Sequence, residues 1–564
     1  MADGRTIDFS EQDPSRITVL DRGNLHRVLN TPQLYAIGYG DVGSSIYYAL
    51  GVTTLYALGA VPLALALAGL VFFCTVLTYA ELSAALPESG GSCSFARHAF
   101  NDLLSFIAGW ALLLDYIVTI AISAYSVGPY LSHAVPLLKA MGHVPVTLMI
   151  LSILLSLNLI GIKESTRVSL LLCVFSIVTQ AAIITLGLVF LMQLLQPEQF
   201  LHHLQVFWRH LQVGVPDSAW SPTWPNFWKG VGMAMVAYIG IESISQLAGE
   251  ARHPNRTIPR AMLLTMVTLF VLYFGTSAIA LTVLSPQELT TAYLEDPIAG
   301  IAASMPIGRQ FLAPWVGLLG ATILFVAANA GLIGASRLTF AMSEHFTLPR
   351  VFYRIHPRFK TPYVSLITFT LLAAVIVTIA RHLTHIAELY NFGAMLSFAL
   401  AHLSLLGLRV RQPELNRPFK IGWNLRVGRF ELPWTAIVGL LGTAAVWVDV
   451  ILTKPAGRNL GFLWMGIGLV CYFWYRRTQR LHPTARLEIE RLKMPEYQPV
   501  TVKNILVPAI GAQTNDAVQV AAKLAKLHGA DVTALYVIEI PPSLPLDTFF
   551  PEKLALADSL MEQA

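Results

Sequence analysis

The order of apolar and polar positions divides the chain into a polar arm, a long apolar region and a polar tail. Between residues 34 and 476, stretches of about 20 apolar residues, long enough for a helix to cross a bilayer, alternate with short polar ones. The pattern predicts an all-α membrane domain over residues 31–476 with twelve spanning helices. The predicted helices are 34–57, 61–86, 103–134, 144–162, 167–195, 227–248, 261–285, 310–343, 363–381, 385–410, 432–453 and 458–476.

The first and the sixth of these helices contain glycines beside an acidic residue at mid-span. These residues are Gly38, Gly40, Asp41 and Gly43 in helix 1, and Gly240 and Glu242 in helix 6. A helix broken inside a bilayer leaves backbone groups free, which is tolerated where the break lines a cavity. Breaks at matching positions of two five-helix halves are typical of the midplane site of a transporter. The alternative is that the glycines only allow close helix packing.

The two mid-span acids favour a transporter site over simple helix packing. A charge at the bilayer centre costs ~2.5–3.5 kcal/mol, and no Lys or Arg in helices 1 to 7 stands at mid-membrane to neutralise it. We therefore expect both acids to face a cavity or a ligand, and Glu242, which has apolar neighbours, to carry a proton. The alternatives are a capping role for Asp41 and a structural hydrogen bond for a protonated Glu242. Asp115 is placed nearer a helix end and is interpreted as a structural polar residue.

Composition and charge exclude several classes of protein. Of the 564 residues, 55% are hydrophobic and only 13% are charged, against about 25% charged in a soluble domain. Lys and Arg concentrate in alternate loops, which predicts cytoplasmic N- and C-termini in the plasma (inner) membrane and leaves no basic surface for nucleic acid. The four cysteines stand singly, and no phosphate-binding loop, metal-ligand cluster or nucleophile–base pair is found. We expect no enzyme, cofactor or bound metal.

The polar ends are predicted to lie in the cytoplasm. Residues 1–30 form an arm, 477–502 a charged linker, and 503–564 a small α/β unit with strand–helix–strand order. Its segments KNILVPAIG and AVQVAAKLAKLHGADVTALYVIE resemble the opening of a universal stress protein domain. Only a part of such a domain is present, without the glycine-rich nucleotide segment, so no ATP site is expected. Completion by a second copy, in a homodimer, is one hypothesis for this tail.

Four motifs resemble the amino acid–polyamine–organocation (APC) superfamily. They are GSSIY in helix 1, TYAELSAALPESGGSCSFA after helix 2, AYIGIESISQLAGEARHPNRTIPRA in helix 6, and AANAGLIGASRLTFAMSEHFTLPRVF in helix 8. The resemblance implies the LeuT-like fold, with two inverted five-helix repeats and two further helices. It also implies that the helix 1 and helix 6 breaks bind substrate. The positions that it assigns to substrate are Gly43, Ser44, Ser45, Tyr238, Ile239, Gly240 and Asn329.

Helix 1 departs from amino acid carriers of that superfamily at Asp41. The stretch YGDVGSSIYYAL is similar to helix 1 of the Kup and KimA potassium transporters, and DYIVTIAIS and GIESIS resemble helices 3 and 6 of KimA. Carried over residue by residue, this resemblance implies a potassium site at Asp41, Tyr48, Thr119, Ser123 and Glu242. Ile239 replaces a threonine of that site and offers no side-chain oxygen.

Three functions therefore stay open. One is a proton-coupled symporter of amino acids, in which Asp41 favours a cationic or amine-bearing solute. The second is a potassium–proton symporter, and the third is a sensor that reports through the tail. For both symporters we expect alternating access, with Glu242 or Asp41 carrying the proton.

Overall fold

The computed structural model describes most of the chain. The described residues are 16–21, 29–161, 166–194, 208–209, 211–216, 218–305, 308–356, 358–359, 361–428, 430–493, 503–508, 514–538 and 550–563. They fall into two compact units, whose main boundary lies between Arg491 and Leu492; Leu20 and Asp21, at the end of the first strand, are grouped with the second unit. This boundary falls within the stretch that the sequence predicts to be a linker.

The first unit is built of helices. Its α-helices are α1 (Thr31–Val42), α2 (Ile46–Ala57), α3 (Val61–Ala85), α4 (Ser92–Ala99), α5 (Asp102–Leu131), α6 (Leu137–Met141), α7 (His143–Ile160), α8 (Thr166–Leu194), α9 (Trp224–Ala234), α10 (Glu242–Gln246), α11 (Pro254–Val283), α12 (Pro286–Thr291), α13 (Pro297–Ser304), α14 (Arg309–Glu344), α15 (Tyr363–Ala380), α16 (Leu383–Arg411), α17 (Trp434–Thr453) and α18 (Pro455–Thr478). Short 3-10 helices occupy Leu58–Ala60, Met235–Tyr238, Ala248–Glu250 and Arg350–Tyr353. Strand β1 is Arg16–Asp21, and β2 (Asn424–Val427) pairs antiparallel with β3 (Phe430–Pro433) before α17.

Nine helical segments among the described residues are long and apolar enough to cross a membrane, which confirms the membrane class. One of them, Ile46–Ala85, includes both α2 and α3, so helices 1 and 2 of the prediction share it. The predicted sixth helix is divided into α9, a 3-10 turn and α10, and none of these pieces is long enough to be counted. The count of twelve spans stays a prediction.

The centre of this unit is α5. Its side chains are buried along almost the whole helix, and it packs against α14 and α16. Elsewhere in the unit, α3 packs against α11 and α17, and α1 packs against α11 and α8. Most spans are apolar all round because they face lipid or protein on every side. The interior polar side chains of α1, α5 and α10 are therefore exceptions with a role to explain.

The second unit contains a small α/β arrangement. Strand β5 (Asn504–Pro508) is followed by α19 (Thr514–His528) and β6 (Asp531–Leu535), and the two strands pair in parallel. Strand β4 (Glu488–Lys493) contains the boundary between the two units, and α20 (Pro551–Gln563) follows β6. The strand–helix–strand order lies where the sequence places it. A relationship to universal stress proteins stays a prediction.

Candidate functional site

Helix 1 is interrupted between α1 and α2 by a tight turn. The backbone N–H groups of Ser45, Tyr47 and Tyr48 donate to carbonyls three residues earlier, instead of four as in an α-helix. Ser44 Oγ donates to the carbonyl of Asp41 at 2.6 Å, while the Ser44 N–H has no backbone partner among the described residues. The interruption is shorter than the sequence suggests, because Gly38 and Gly40 lie within α1.

Gly38 corrects the prediction that all three glycines break the helix. A side chain at Gly38 would collide with Ile244 on α10, so this glycine allows α1 and α10 to approach closely. The packing alternative therefore holds for Gly38.

Helix 6 is opened more fully. After the 3-10 turn ends at Tyr238, Ile239 has an extended backbone and Gly240 has a φ of 121°. The N–H of Gly240 donates to Glu242 Oε2 at 3.1 Å, and Glu242 begins α10. A methyl group at Gly240 would lie 3.0 Å from Asp41 Cγ. The two breaks therefore face each other, with the Asp41 carboxyl against the Gly240 backbone.

A third carboxyl group, that of Asp115, lies beside the two facing helix breaks. Asp115, on α5, lies close enough to Glu242 and Asp41 for their charges to interact. All three side chains are buried, with exposures of 3% for Asp41, 0% for Asp115 and 1% for Glu242. The prediction that Asp115 lies near a helix end is wrong, because α5 extends from Asp102 to Leu131 with Asp115 near its middle. We call these three residues the carboxyl cluster.

The carboxyl cluster has no basic partner among the described residues. None of the salt bridges found there includes Asp41, Asp115 or Glu242. Asp41 Oδ1 and both carboxyl oxygens of Asp115 make no hydrogen bond of good geometry in this part of the chain, although the Asp115 and Glu242 carboxyl groups lie close enough to share a proton. Buried polar groups are nearly always paired, so these oxygens indicate a place for a cation, a proton or a ligand.

The buried basic side chains are engaged elsewhere. Arg409 pairs with Glu81, and Arg97 and Arg476 pair with Asp102. The Lys454 ammonium lies 3.4 Å from the ring centroid of Tyr56, and burial lowers the pKa of Lys454 to about 8. Among the described residues, the buried arginines thus pair with carboxylates near helix ends, Lys454 lies against an aromatic ring, and the carboxyl cluster has no cation.

Hydroxyl groups from three helices lie beside the carboxyl cluster. Ser45 Oγ and the Tyr48 hydroxyl share a hydrogen bond of 2.9 Å, and Thr119 Oγ1 shares one of 2.7 Å with the Tyr390 hydroxyl. The Tyr48 and Tyr390 hydroxyls lie next to each other. Sequence reasoning named Ser45, Tyr48 and Thr119 but missed Tyr390 of α16. No motif marks Tyr390, and only the packing of α16 against α5 brings it here.

The remaining predicted positions differ in their surroundings. Ser123 is fully buried one turn beyond Thr119 on α5, and its hydroxyl has no partner among the described residues. The Tyr238 hydroxyl donates to the Leu65 carbonyl at 2.9 Å, so only its backbone faces the break. Asn329 Oδ1 accepts a hydrogen bond of 2.7 Å from Asn158 on α7, which engages its side chain away from the carboxyl cluster.

No metal-binding group emerges from this arrangement. Among the described residues, no three His, Cys, Asp or Glu side chains are placed to hold a metal ion. The three acids approach one another from different helices, and a monovalent charge or a proton suits such a site better than a divalent cage. The arrangement can bind a cationic group and can exchange protons.

Comparison with known proteins gives the family. Residues 29–473 match the family described as "Amino acid permease". The chain is 27% identical over 483 residues to the branched-chain amino acid permease BcaP of Bacillus subtilis (strain 168), covering 80% of this chain and 94% of that protein. It is 27% identical over 486 residues to the methylthioribose transporter of the same strain, covering 81% and 95%. It is 24% identical over 437 residues to the low-affinity putrescine importer PlaP of Escherichia coli (strain K12), covering 76% and 88%.

A multi-pass helical unit with two facing helix breaks defines the class as a membrane transporter. The chain belongs to the amino acid permease family, within the APC superfamily that its motifs resemble. It is an integral membrane protein that transports a small solute. The family relationship does not indicate catalysis.

Proposed function

We propose that this permease takes up a solute that bears a protonated amine, an amino acid or a polyamine, together with protons. The observation that carries this proposal is the carboxyl cluster: three buried acids without a basic partner among the described residues. An ammonium group supplies the missing positive charge, and carboxyl groups that are left over can hold protons.

The helix breaks complete the proposed site. The unpaired Ser44 N–H and the first turn of α2 form a helix N-terminus, which attracts the carboxylate of an amino acid. Ile239 and Gly240 contribute backbone groups from helix 6. We propose that Gly43, Ser44, Ser45 and Tyr238 act in the same way, and that Tyr48, Thr119 and Ser123 offer hydroxyl groups. Asn329 stays a proposal that rests on the resemblance alone.

The relatives support an organic amine. Two of the relatives, a branched-chain amino acid permease and a putrescine importer, are named for solutes with amino groups. A polyamine has no carboxylate for Asp41 to repel, so it removes the conflict that this residue creates for a neutral amino acid. A cationic amino acid removes only part of it.

Coupling and orientation are part of the same proposal. We propose twelve spans in two inverted five-helix repeats, with both termini in the cytoplasm of a cell that carries the protein in its plasma membrane. Glu242 is the proposed proton carrier, because it stands at the start of α10 and bonds to Gly240 inside the break. Movement of α1 and α10 against α5 would then open the site alternately to each side. A homodimer formed through the tail remains a hypothesis.

A potassium–proton symporter is the second candidate. The residues that the resemblance assigns to K⁺ are Asp41, Tyr48, Thr119, Ser123 and Glu242, and carboxyl and hydroxyl oxygens are suitable ligands for K⁺. The hydroxyls of Tyr48 and Thr119 are, however, already bonded to Ser45 and Tyr390. Ile239 adds no side-chain oxygen.

Uptake by purified protein in liposomes tests both candidates. Under an imposed pH gradient, acid outside, we expect uptake of labelled lysine, leucine or putrescine and none of rubidium. Glu242→Gln and Asp115→Asn should each lower gradient-driven uptake at least about tenfold, while Glu242→Gln retains exchange of the solute across the membrane. Asp449→Asn is the control, because it changes a carboxyl group of α17 outside the carboxyl cluster.

The outcomes separate the candidates. Rubidium uptake without amine uptake would replace the amine proposal by the potassium one. Undiminished gradient-driven uptake in Glu242→Gln would remove the proton role of this residue. Asp41→Asn adds a direct comparison, since loss of rubidium but not leucine uptake would assign Asp41 to a cation.

A further inference from the structure

The segment between α11 and α14 packs against α2 and against the 3-10 helix Leu58–Ala60 at its C-terminal end. It contains α12 and α13, and its residue Leu294 lies so close to α2 that a methyl group at Gly51 would collide with the Leu294 carbonyl. The Tyr130 hydroxyl connects the same region, donating to the Tyr47 carbonyl at 2.6 Å and accepting from the Ile298 N–H at 3.2 Å. We call residues 284–305 the cover segment.

Two histidines hold the cover segment from outside it. His133, just after α5, places Nε2 2.7 Å from Asp296 Oδ2. His143, at the start of α7, places Nδ1 3.2 Å from Glu295 Oε2. Glu295 and Asp296 are consecutive and stand immediately before α13, so both contacts act on one point of the chain.

We propose that the two histidine–carboxylate pairs form a pH-sensitive latch that holds the cover segment closed over α2. In the proposed orientation this end of α2 faces the outside. The latch is separate from the carboxyl cluster, and its existence does not depend on which solute is carried.

The charges determine the direction of the effect. Histidine is the side chain that normally changes its charge between about pH 5 and 8. A protonated imidazole forms an ion pair with a carboxylate, whereas a neutral imidazole forms only a hydrogen bond with it. We therefore expect the cover segment to be held more tightly at acid pH and released more often at alkaline pH.

The neighbouring groups support this direction. The titratable side chains that the described contacts place against the two histidines are Glu295, Asp296 and Tyr125. The Tyr125 ring stacks on His143, and its hydroxyl donates to Glu295 at 3.0 Å. Gly317 of α14 packs against the Cβ of His133 without adding a charge. His133 and Asp296 are only 19% and 15% exposed, so salt screens this pair less than a surface pair.

Thiol labelling of a buried position in α13 tests the latch. Ala299 is fully buried in α13, and Ala292 is exposed in the same cover segment. In protein with Cys471→Ser, the labelling rate of Ala299→Cys is divided by that of Ala292→Cys, which removes the pH dependence of thiol chemistry. We expect this ratio to rise at least about threefold from about pH 5.5 to about pH 8.

Substitutions in the two histidine–carboxylate pairs test whether these pairs cause the pH dependence of labelling. With His133→Gln and His143→Gln together, the ratio should be high and independent of pH, and Glu295→Gln with Asp296→Asn should give the same result. His382→Gln is the matched control, because His382 has no carboxylate partner among the described residues, and it should keep the threefold rise. The proposed latch would be overturned if the labelling ratio rose equally in the double histidine variant. It would also be overturned if the ratio did not rise in protein with both pairs intact. If the double variant does not fold, His133→Gln alone should remove most of the rise.

Discussion

At the residue scale, Gly240 is the position where backbone conformation and site geometry depend on each other most directly. Its φ of 121° is one that residues with a side chain rarely adopt, and a methyl group there would lie 3.0 Å from Asp41 Cγ. Both conditions follow from the opening of helix 6 toward helix 1. The residue type is therefore dictated by the site and not by helix packing.

We predict that Gly240→Ala destabilises the protein and abolishes uptake. The unfavourable backbone conformation costs about 1–3 kcal/mol, and the contact with Asp41 adds to it. The melting temperature of the purified protein in detergent and uptake into liposomes measure the two effects. A variant with normal uptake would show that the break does not depend on this conformation.

Gly466→Ala is the matched control for that prediction. Gly466 lies inside α18, and a methyl group there would meet no heavy atom within 4 Å. Replacing glycine by alanine inside a helix stabilises it by roughly 0.5–1 kcal/mol. We expect an unchanged or slightly higher melting temperature and full uptake.

At the element scale, a buried ion pair ties the ends of α3 and α16. Arg409 Nε and Nη2 donate to the two carboxyl oxygens of Glu81 at 2.8 and 2.7 Å, and the Ile421 N–H donates to Glu81 Oε2 at 2.8 Å. Glu81 and Arg409 side chains are 1% and 3% exposed. The pair fixes α3 against α16 and against the chain that leads to β2.

We predict that Glu81→Gln lowers the stability of the folded protein by about 3–5 kcal/mol, because it leaves the buried Arg409 guanidinium without a full counter-charge. The fall in melting temperature in detergent measures this. Lys420→Gln serves as the comparison, since the Lys420–Glu431 pair is 49% and 36% exposed and should leave the melting temperature unchanged. Equal effects in the two variants would contradict the role of burial.

The positions of the helices could be predicted from the sequence, whereas contacts between residues distant in sequence could not. Apolar length placed the helices well, because a bilayer imposes about 20 apolar residues on each span. The Gly240–Glu242 break was also predictable, since glycine and an acid are both costly inside a span. Gly38 was misjudged because its reason is Ile244, which is distant in sequence. Asp115 and Tyr390 were misplaced or missed because side chains of α5 and α16 meet the site only through helix packing.

At the scale of the whole molecule, the charges of the membrane unit divide into paired and unpaired sets. Ion pairs such as Arg409–Glu81 and Arg476–Asp102 occupy helix ends, whereas the carboxyl cluster lies between the broken helices and has no basic partner among the described residues. Burial without a cation favours the neutral, protonated form of a carboxyl group. Binding of a cationic solute must therefore displace protons, which links the solute to the pH on each side of the membrane.

We predict that binding of a cationic solute releases protons and strengthens as the pH rises. Each released proton raises the apparent affinity about tenfold per pH unit, because solute and proton compete for the same carboxyl groups. Titration calorimetry of purified protein with putrescine, in two buffers of different ionisation enthalpy, counts the protons. Asp115→Asn should release one proton fewer and show a shallower pH dependence. Glu242→Gln and Asp449→Asn should release as many protons as the unmodified protein, because the proton proposed for Glu242 travels with the solute. Binding without proton release in the unmodified protein would mean that the carboxyl group that meets the amine is already ionised before the solute binds.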